Sequence, residues 1–239
     1  MADTRRLLSI AHRGGNHINL LHRAQEIGAD YVEADVRLHG GRLEVRHLKT
    51  MRWLPLLYDR HPWRIAPGWT KRLLFPDLLG VIDPAMGLMI DLKGDHDELP
   101  SAIIEAIRAS ATDRRIIVCG QNWRLVDPFV GEDGVRAMHS IGRASQLDAF
   151  LRGDRKTEGI SIHMPLLSKD VVAALRARAP LIVTWPVNSH EALRHVVDCG
   201  VDGVTTDSLE ILQAVVAGAP GVDAAVATAR PGSGPTRSP

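Results

Sequence analysis

Short apolar runs alternate along the chain with stretches whose apolar residues recur at helical spacing. Residues 7–11, 31–36, 43–46, 88–92, 115–119, 135–139, 159–162, 181–185 and 203–206 read as strands. Residues 19–27, 99–109, 145–151, 168–177, 189–199 and 209–216 read as helices. Ser145, Ser168 and Ser189 stand where N-caps are expected. Strands alternating with helices in this way predict a parallel sheet with helices outside it. The 239 residues suit an α/β fold of the TIM type, a (β/α)8 barrel, which takes about 250. Nine strand candidates are one too many for that barrel. Only a short turn around Gly40-Gly41 separates the second from the third, too little for a parallel crossover. Either these two form a hairpin or one lies outside the barrel.

Two segments break the alternation. Residues 51–86, after the third strand candidate, form an expected aromatic-rich insert with Trp53, Trp63 and Trp69. Arg52, Arg60, Arg64, Lys71 and Arg72 add positive charge there. A cap over the barrel mouth, or a face toward lipid, is one reading, and plain packing of the loop on the barrel is the other. Residues 218–239 are rich in Ala, Gly, Pro and Ser and read as a disordered tail, leaving 1–217 as one domain.

Charge and cysteine content narrow the function classes. A net charge of +1 gives no nucleic-acid footprint. No apolar segment is long enough to span a bilayer. The N-terminal apolar run is too short for a secretory signal. Cys119 and Cys199 form no disulfide framework and lack metal-ligand spacing. A reduced, cytoplasmic setting is the expectation.

Several residues could carry chemistry. Glu33 and Asp35 share one face of a strand, and burying two like charges there calls for a cation such as Mg²⁺ or Ca²⁺. A strand with a solvated face is the alternative. His12-Arg13-Gly14-Gly15 ends a strand, where barrels place their active sites. Arginine grips phosphate oxygens and histidine exchanges protons near neutral pH. His47 closes another strand and is either a second proton-transfer group or structural. Asp91 and Lys93 also share a face, as a metal ligand with a phosphate contact or as an ion pair. Trp185 either walls a pocket or packs in the core.

The joint order of these motifs resembles the glycerophosphodiester phosphodiesterases. The series is His-Arg-Gly, then Gly28-Ala-Asp30 leading into Glu-x-Asp-Val, a strand ending in His47, and acid-x-Lys. Trp-x-Val-Asn and Gly-Val-Asp-Gly-x-x-Thr-Asp207 complete it. The resemblance runs from about Ile10 to Leu212 and is poor through 51–86 and the middle strands. It implies a metal-dependent hydrolysis of glycerophosphodiesters to sn-glycerol 3-phosphate and an alcohol. His12 and His47 match the acid-base pair, and Glu33, Asp35 and Asp91 match ligands of a divalent metal, Mg²⁺ or Ca²⁺. Arg13 and Lys93 match phosphate contacts, Trp185 a substrate-side aromatic, and Asn16 an asparagine that the family places later in a longer loop. The family's Asp after the second histidine is here Leu48, and its usual glutamate is Asp91. A lysophospholipase D or sphingomyelinase D-like activity, with peripheral lipid contact through residues 51–86, is the alternative enzyme. A barrel that binds a phosphorylated ligand without turnover is the alternative from another class.

Overall fold

The computed structural model describes residues 6–51, 54, 56–60, 63–70, 72–110 and 113–218. Eight parallel strands close into a barrel. They are β1 (Leu8–Ala11), β2 (Tyr31–His39), β3 (Gly87–Leu92), β4 (Ile116–Gly120), β5 (Val135–Ile141), β6 (Gly159–His163), β7 (Ile182–Trp185) and β8 (Gly203–Thr206). β1 completes the ring by pairing with both β2 and β8. Each strand leads to a helix: α1 (Ile18–Ile27), α2 (Phe75–Val81), α3 (Leu99–Ala109), α4 (Trp123–Val126), α5 (Ala144–Arg152), α6 (Lys169–Arg176), α7 (His190–Cys199) and α8 (Leu209–Val216). This is the expected TIM-type barrel.

The ninth strand candidate is Arg42–Val45, which pairs antiparallel with the end of β2. Gly40 and Gly41, at φ 55° and 72°, make the tight turn between them. Two successive positive φ values suit a two-residue hairpin and are costly for any residue with a Cβ. The hairpin therefore stands outside the parallel ring.

Alternation along the strands divides the side chains. Ile10, Tyr31, Met89, Ile117, Met138 and Val183 pack together as the barrel's inner core. The next positions on the same face, toward the strands' C-terminal ends, are polar: Glu33 after Tyr31, Asp91 after Met89, Ser140 after Met138. The other face packs on the helices. Val32, Ile90 and Val118 meet Leu21, Leu78 and Ile103 on one side, and Ile160, Ile182 and Val204 meet Leu175, Leu193 and Ile211 on the other.

Ser168 and Ser189 are N-caps, accepting from the N–H of Val171 and Ala192 at 3.2 and 3.1 Å. Ser145 is not. It lies inside α5, whose cap position is Arg143 without a side-chain bond. Helices α2 and α4 were not expected. The first carries Pro76 and Gly80, which mask its periodicity, and the second is only four residues long.

The strand entrances at the N-terminal end carry a repeated device. Gly28 and Gly200 end α1 and α7 in the left-handed region, at φ 80° and 81°. Two residues later come Asp30 and Asp202. Asp30 accepts from the N–H and hydroxyl of Ser9 on β1, at 2.9 and 2.7 Å. Asp202 accepts from the N–H of Ile182 on β7 at 2.7 Å and pairs with Arg176. Each carboxylate thus ties the incoming strand to its neighbour. Asp202→Ala is expected to cost about 2 kcal/mol, the scale of hydrogen bonds to a charged group. Urea denaturation checks this, and an unchanged midpoint would contradict it.

Between the hairpin and α2, strands Lys49–Thr50, Leu56–Arg60 and Trp63–Pro67 form a separate antiparallel sheet. The aromatic-rich insert expected there is not found. Trp53 and the side chain of Trp63 lie outside the described residues. Trp69 is 76% exposed, in a turn closed by the Thr70 N–H on the Pro67 carbonyl at 3.2 Å, so it faces water. This sheet brings Asp59 to His47 at the barrel mouth. Arg72 is not a spare surface charge either, because it pairs with buried Glu44. The expected tail falls, beyond Gly218, outside the described residues. Among the described residues no helix is long and apolar enough to cross a membrane.

Candidate active site

The site lies at the C-terminal ends of the strands. β1 runs into His12, and Arg13 then takes a left-handed backbone (φ 53°), unusual for a residue with a Cβ. A short 3-10 turn, Gly14–Asn16, follows. The Arg13 N–H donates to Glu33 Oε2 at 2.6 Å. Asn16 donates from Nδ2 to Asp35 Oδ2 at 2.6 Å and accepts the Asp35 N–H at 2.9 Å. The loop after β1 therefore clasps both acids of β2, and these bonds hold the strained residue in place.

Strand register sets Asp35 opposite Asp91 on β3. Glu33, Asp35 and Asp91 each offer an oxygen within 4.8 Å of the others. Lys93 lies 3.0 Å from Asp35 Oδ1 and bonds to Asp91. One ammonium, with the Arg13 guanidinium 3.9 Å from Asp35, thus faces three carboxyl groups. Burial and the charge on Asp35 push Glu33 up to about 8. Burial also raises Asp91, although Lys93 opposes it. For Asp35, burial is outweighed by Lys93, His47 and the Asn16 bond, which bring it down to about 2. Among the described residues, Glu33 Oε1 is buried with no hydrogen-bond partner. An all-oxygen donor set short of positive charge, with an unused buried oxygen, fits a hard divalent cation.

Both histidines are oriented by carboxylates. His12 Nδ1 is 2.8 Å from Asp207 Oδ1, just past β8. Asn188, after β7, fixes that aspartate by donating to Asp207 Oδ2 at 3.1 Å and accepting the Asp207 N–H at 2.9 Å. His47 Nδ1 bonds to Asp59. Among the described residues, neither ring's Nε2 has a hydrogen-bond partner. Burial lowers both groups. For His12 the Asp207 hydrogen bond and the nearby acids, Glu33 first, outweigh it and raise the ring above its ordinary 6.5. For His47, Arg13 and Lys93 add to burial, and the ring stays below 6.5 despite Asp35 and Asp59. Asp207→Asn is therefore expected to lower the His12 titration midpoint. An NMR titration checks this, and an unchanged midpoint would break the link.

His12, Arg13, Glu33, His47, Asp91 and Lys93 line one cavity of about 130 Å³, with Trp185 on its wall. Trp185 stands against the His163 ring at 4.7 Å between centroids. Asp35 lies beneath the cavity, 1% exposed. The residues singled out in the sequence thus come together from β1, β2, β3, β7 and the rim hairpin. Asp207, Asn188 and Asp59 were not among them. The first two stand in motifs that were noticed, whereas nothing in the sequence signals Asp59.

No protein-family profile matches the chain. A glycerophosphodiester phosphodiesterase of Caldanaerobacter subterraneus subsp. tengcongensis is 25% identical over 245 residues, covering 86% of this chain and 96% of that protein. Among solved structures, the Thermotoga maritima glycerophosphodiester phosphodiesterase superposes with a TM-score of 0.66 at 20% identity, covering 86% of this chain and 96% of that one. An Oleispira antarctica phosphodiesterase in complex with the product sn-glycerol-3-phosphate gives 0.68 at 17% identity, covering 89% and 97%. A glycerophosphodiester phosphodiesterase from Parabacteroides distasonis gives 0.65 at 21% identity, covering 90% and 98%. The barrel therefore has the fold of the glycerophosphodiester phosphodiesterases.

Proposed function

We propose that this chain is a member of the glycerophosphodiester phosphodiesterase family. In this reading it hydrolyses glycerophosphodiesters, with a divalent cation, to sn-glycerol 3-phosphate and an alcohol. One observation carries the reading: two histidines line one cavity with Glu33 and Asp91, and these two acids converge with Asp35 beneath it.

Glu33, Asp35 and Asp91 would hold Mg²⁺ or Ca²⁺. Bound there, the cation supplies charge neutralisation at the phosphoryl group and acidifies the attacking oxygen. The protein's own residues do the rest. His47, the ring more readily neutral, takes the proton of the attacking oxygen at Nε2. His12, held protonated by Asp207, gives its Nε2 proton to the leaving alkoxide. Arg13 and Lys93 place fixed positive charge against the non-bridging oxygens, and Trp185 walls the glycerol side. If a neighbouring substrate hydroxyl is the nucleophile, the first product is a cyclic phosphate.

A second reading has one observation in its favour. Leu54, Ile65 and Trp69, all on the segment with the separate sheet, are 52%, 65% and 76% exposed. Apolar side chains so placed suit contact with a lipid surface and a lysolipid substrate. A panel of glycerophosphocholine, glycerophosphoethanolamine and lysophosphatidylcholine separates the readings. Release of sn-glycerol 3-phosphate from the first two is expected. Turnover confined to the lysolipid would select the second reading. Binding of sn-glycerol 3-phosphate without turnover of any substrate would leave a non-catalytic ligand-binding barrel.

A further inference from the structure

Beside the catalytic cavity lies a far larger groove of about 1060 Å³, and Lys93 lines both. The cavity, at about 130 Å³, is small beside it. The groove is thus the space open to whatever the phosphoryl group carries past Lys93.

The groove's lining is cationic. Arg37, Arg46, Lys49 and Lys93 stand against a single acid, Asp95, among the described residues. Two of these cations are already matched, Arg46 by Glu44 and Lys93 by Asp35 and Asp91. Arg37 and Lys49 have no carboxylate within ion-pair reach among the described residues. Arg37 sits two residues past Asp35 on the same face of β2, directly above the acids. Its one hydrogen bond among the described residues is a long one, 3.3 Å from Nη2 to the His47 carbonyl. Its Nε is buried with no partner among the described residues. Gly94 puts no side chain over Nη1. A guanidinium with a buried, unpartnered Nε and one long hydrogen bond has donors to spare, and an oxyanion would meet it in the bidentate geometry that arginine favours.

We propose that this groove receives the leaving-alcohol end of the diester, and that its preferred alcohol carries an anionic group that Arg37 and Lys49 bind. This rests on the phosphodiesterase reading and deepens it by naming the substrate class. The recognising chemistry is that of an oxyanion, which a head group supplies either as a carboxylate or as a second phosphate.

Two matched substrate pairs test it. Glycerophosphoserine and glycerophosphoethanolamine differ by one carboxylate. Glycerophosphoinositol and its 4-phosphate differ by one phosphate. The anionic member of at least one pair is expected to have a kcat/KM about tenfold higher or more, the effect of one hydrogen bond to a charged group. Which pair responds identifies the source of the oxyanion. Arg37→Gln and Lys49→Met should each bring that ratio toward one. Equal kcat/KM within both pairs, or ratios unmoved by both variants, would overturn the inference while leaving the phosphodiesterase reading intact. If no diester is turned over, that reading fails instead. Calorimetry with phosphoserine against phosphoethanolamine then still decides the groove, since equal affinity overturns the anion preference and tighter phosphoserine binding supports it.

Discussion

Replacing His12 or His47 by alanine is expected to lower kcat by about 10²–10⁴-fold, the usual contribution of a general acid or base. Both rings sit at the mouth of the barrel, outside the inner core, and each is partly exposed. Loss of either should therefore leave the fold in place, with only a modest fall in Tm. The pH profile separates the two roles. His47 must be neutral to accept a proton, and its affinity is lowered; His12 must be protonated to donate one, and its affinity is raised. The productive combination is populated between the two values, so kcat/KM should be bell-shaped. Activity falls on the acid side as His47 gains a proton and on the alkaline side as His12 loses one. His47→Ala should remove the acid limb and His12→Ala the alkaline limb. A variant that keeps near wild-type kcat has no catalytic histidine at that position.

Metal affinity should depend on the three acids in a pH-dependent way. Asp91→Ala is expected to weaken binding, whereas Asp91→Glu should retain it, because the longer carboxylate can still reach the same point between β2 and β3. Glu33 is pushed up to about 8 by burial and by Asp35. At pH 7 most of it holds a proton that must leave before the carboxylate can ligate. Affinity should therefore rise with pH through that value and level off above it. Calorimetry at pH 7 should detect proton release that shrinks toward pH 9. An affinity unaffected by Asp91→Ala would remove Asp91 from the site, and absence of proton release would place Glu33 outside it.

How much of this could be read from the chain depends on how local each signal is. Glu33 with Asp35, and Asp91 with Lys93, are pairs two residues apart on one strand, and strand geometry alone puts each pair on one face. The barrel was legible because all eight ring strands stand out as short apolar runs and six of the eight helices carry helical periodicity. Asp207 was not legible as the partner of His12, because 195 residues separate them and only ring closure between β1 and β8 joins them. Asp59 was hidden for a different reason. It lies in a segment whose tryptophans drew the expectation toward an aromatic cap. A short antiparallel strand carries its carboxylate to His47 instead. With Leu48 next to that histidine, the nearby acid comes from a sheet that leaves little trace in the hydrophobic pattern. The charge imbalance of the groove was equally invisible, since it depends on which arginines find carboxylates after folding.

The most direct measurement is the release of sn-glycerol 3-phosphate from glycerophosphocholine by metal-stripped protein, before and after Mg²⁺ or Ca²⁺ is added. No release without the cation and restored release with it are expected, since three converging acids that, among the described residues, face only Lys93 and Arg13 need that charge to hold a phosphoryl group. Full turnover by the stripped protein would contradict the assignment of Glu33, Asp35 and Asp91 as a metal site that the reaction requires.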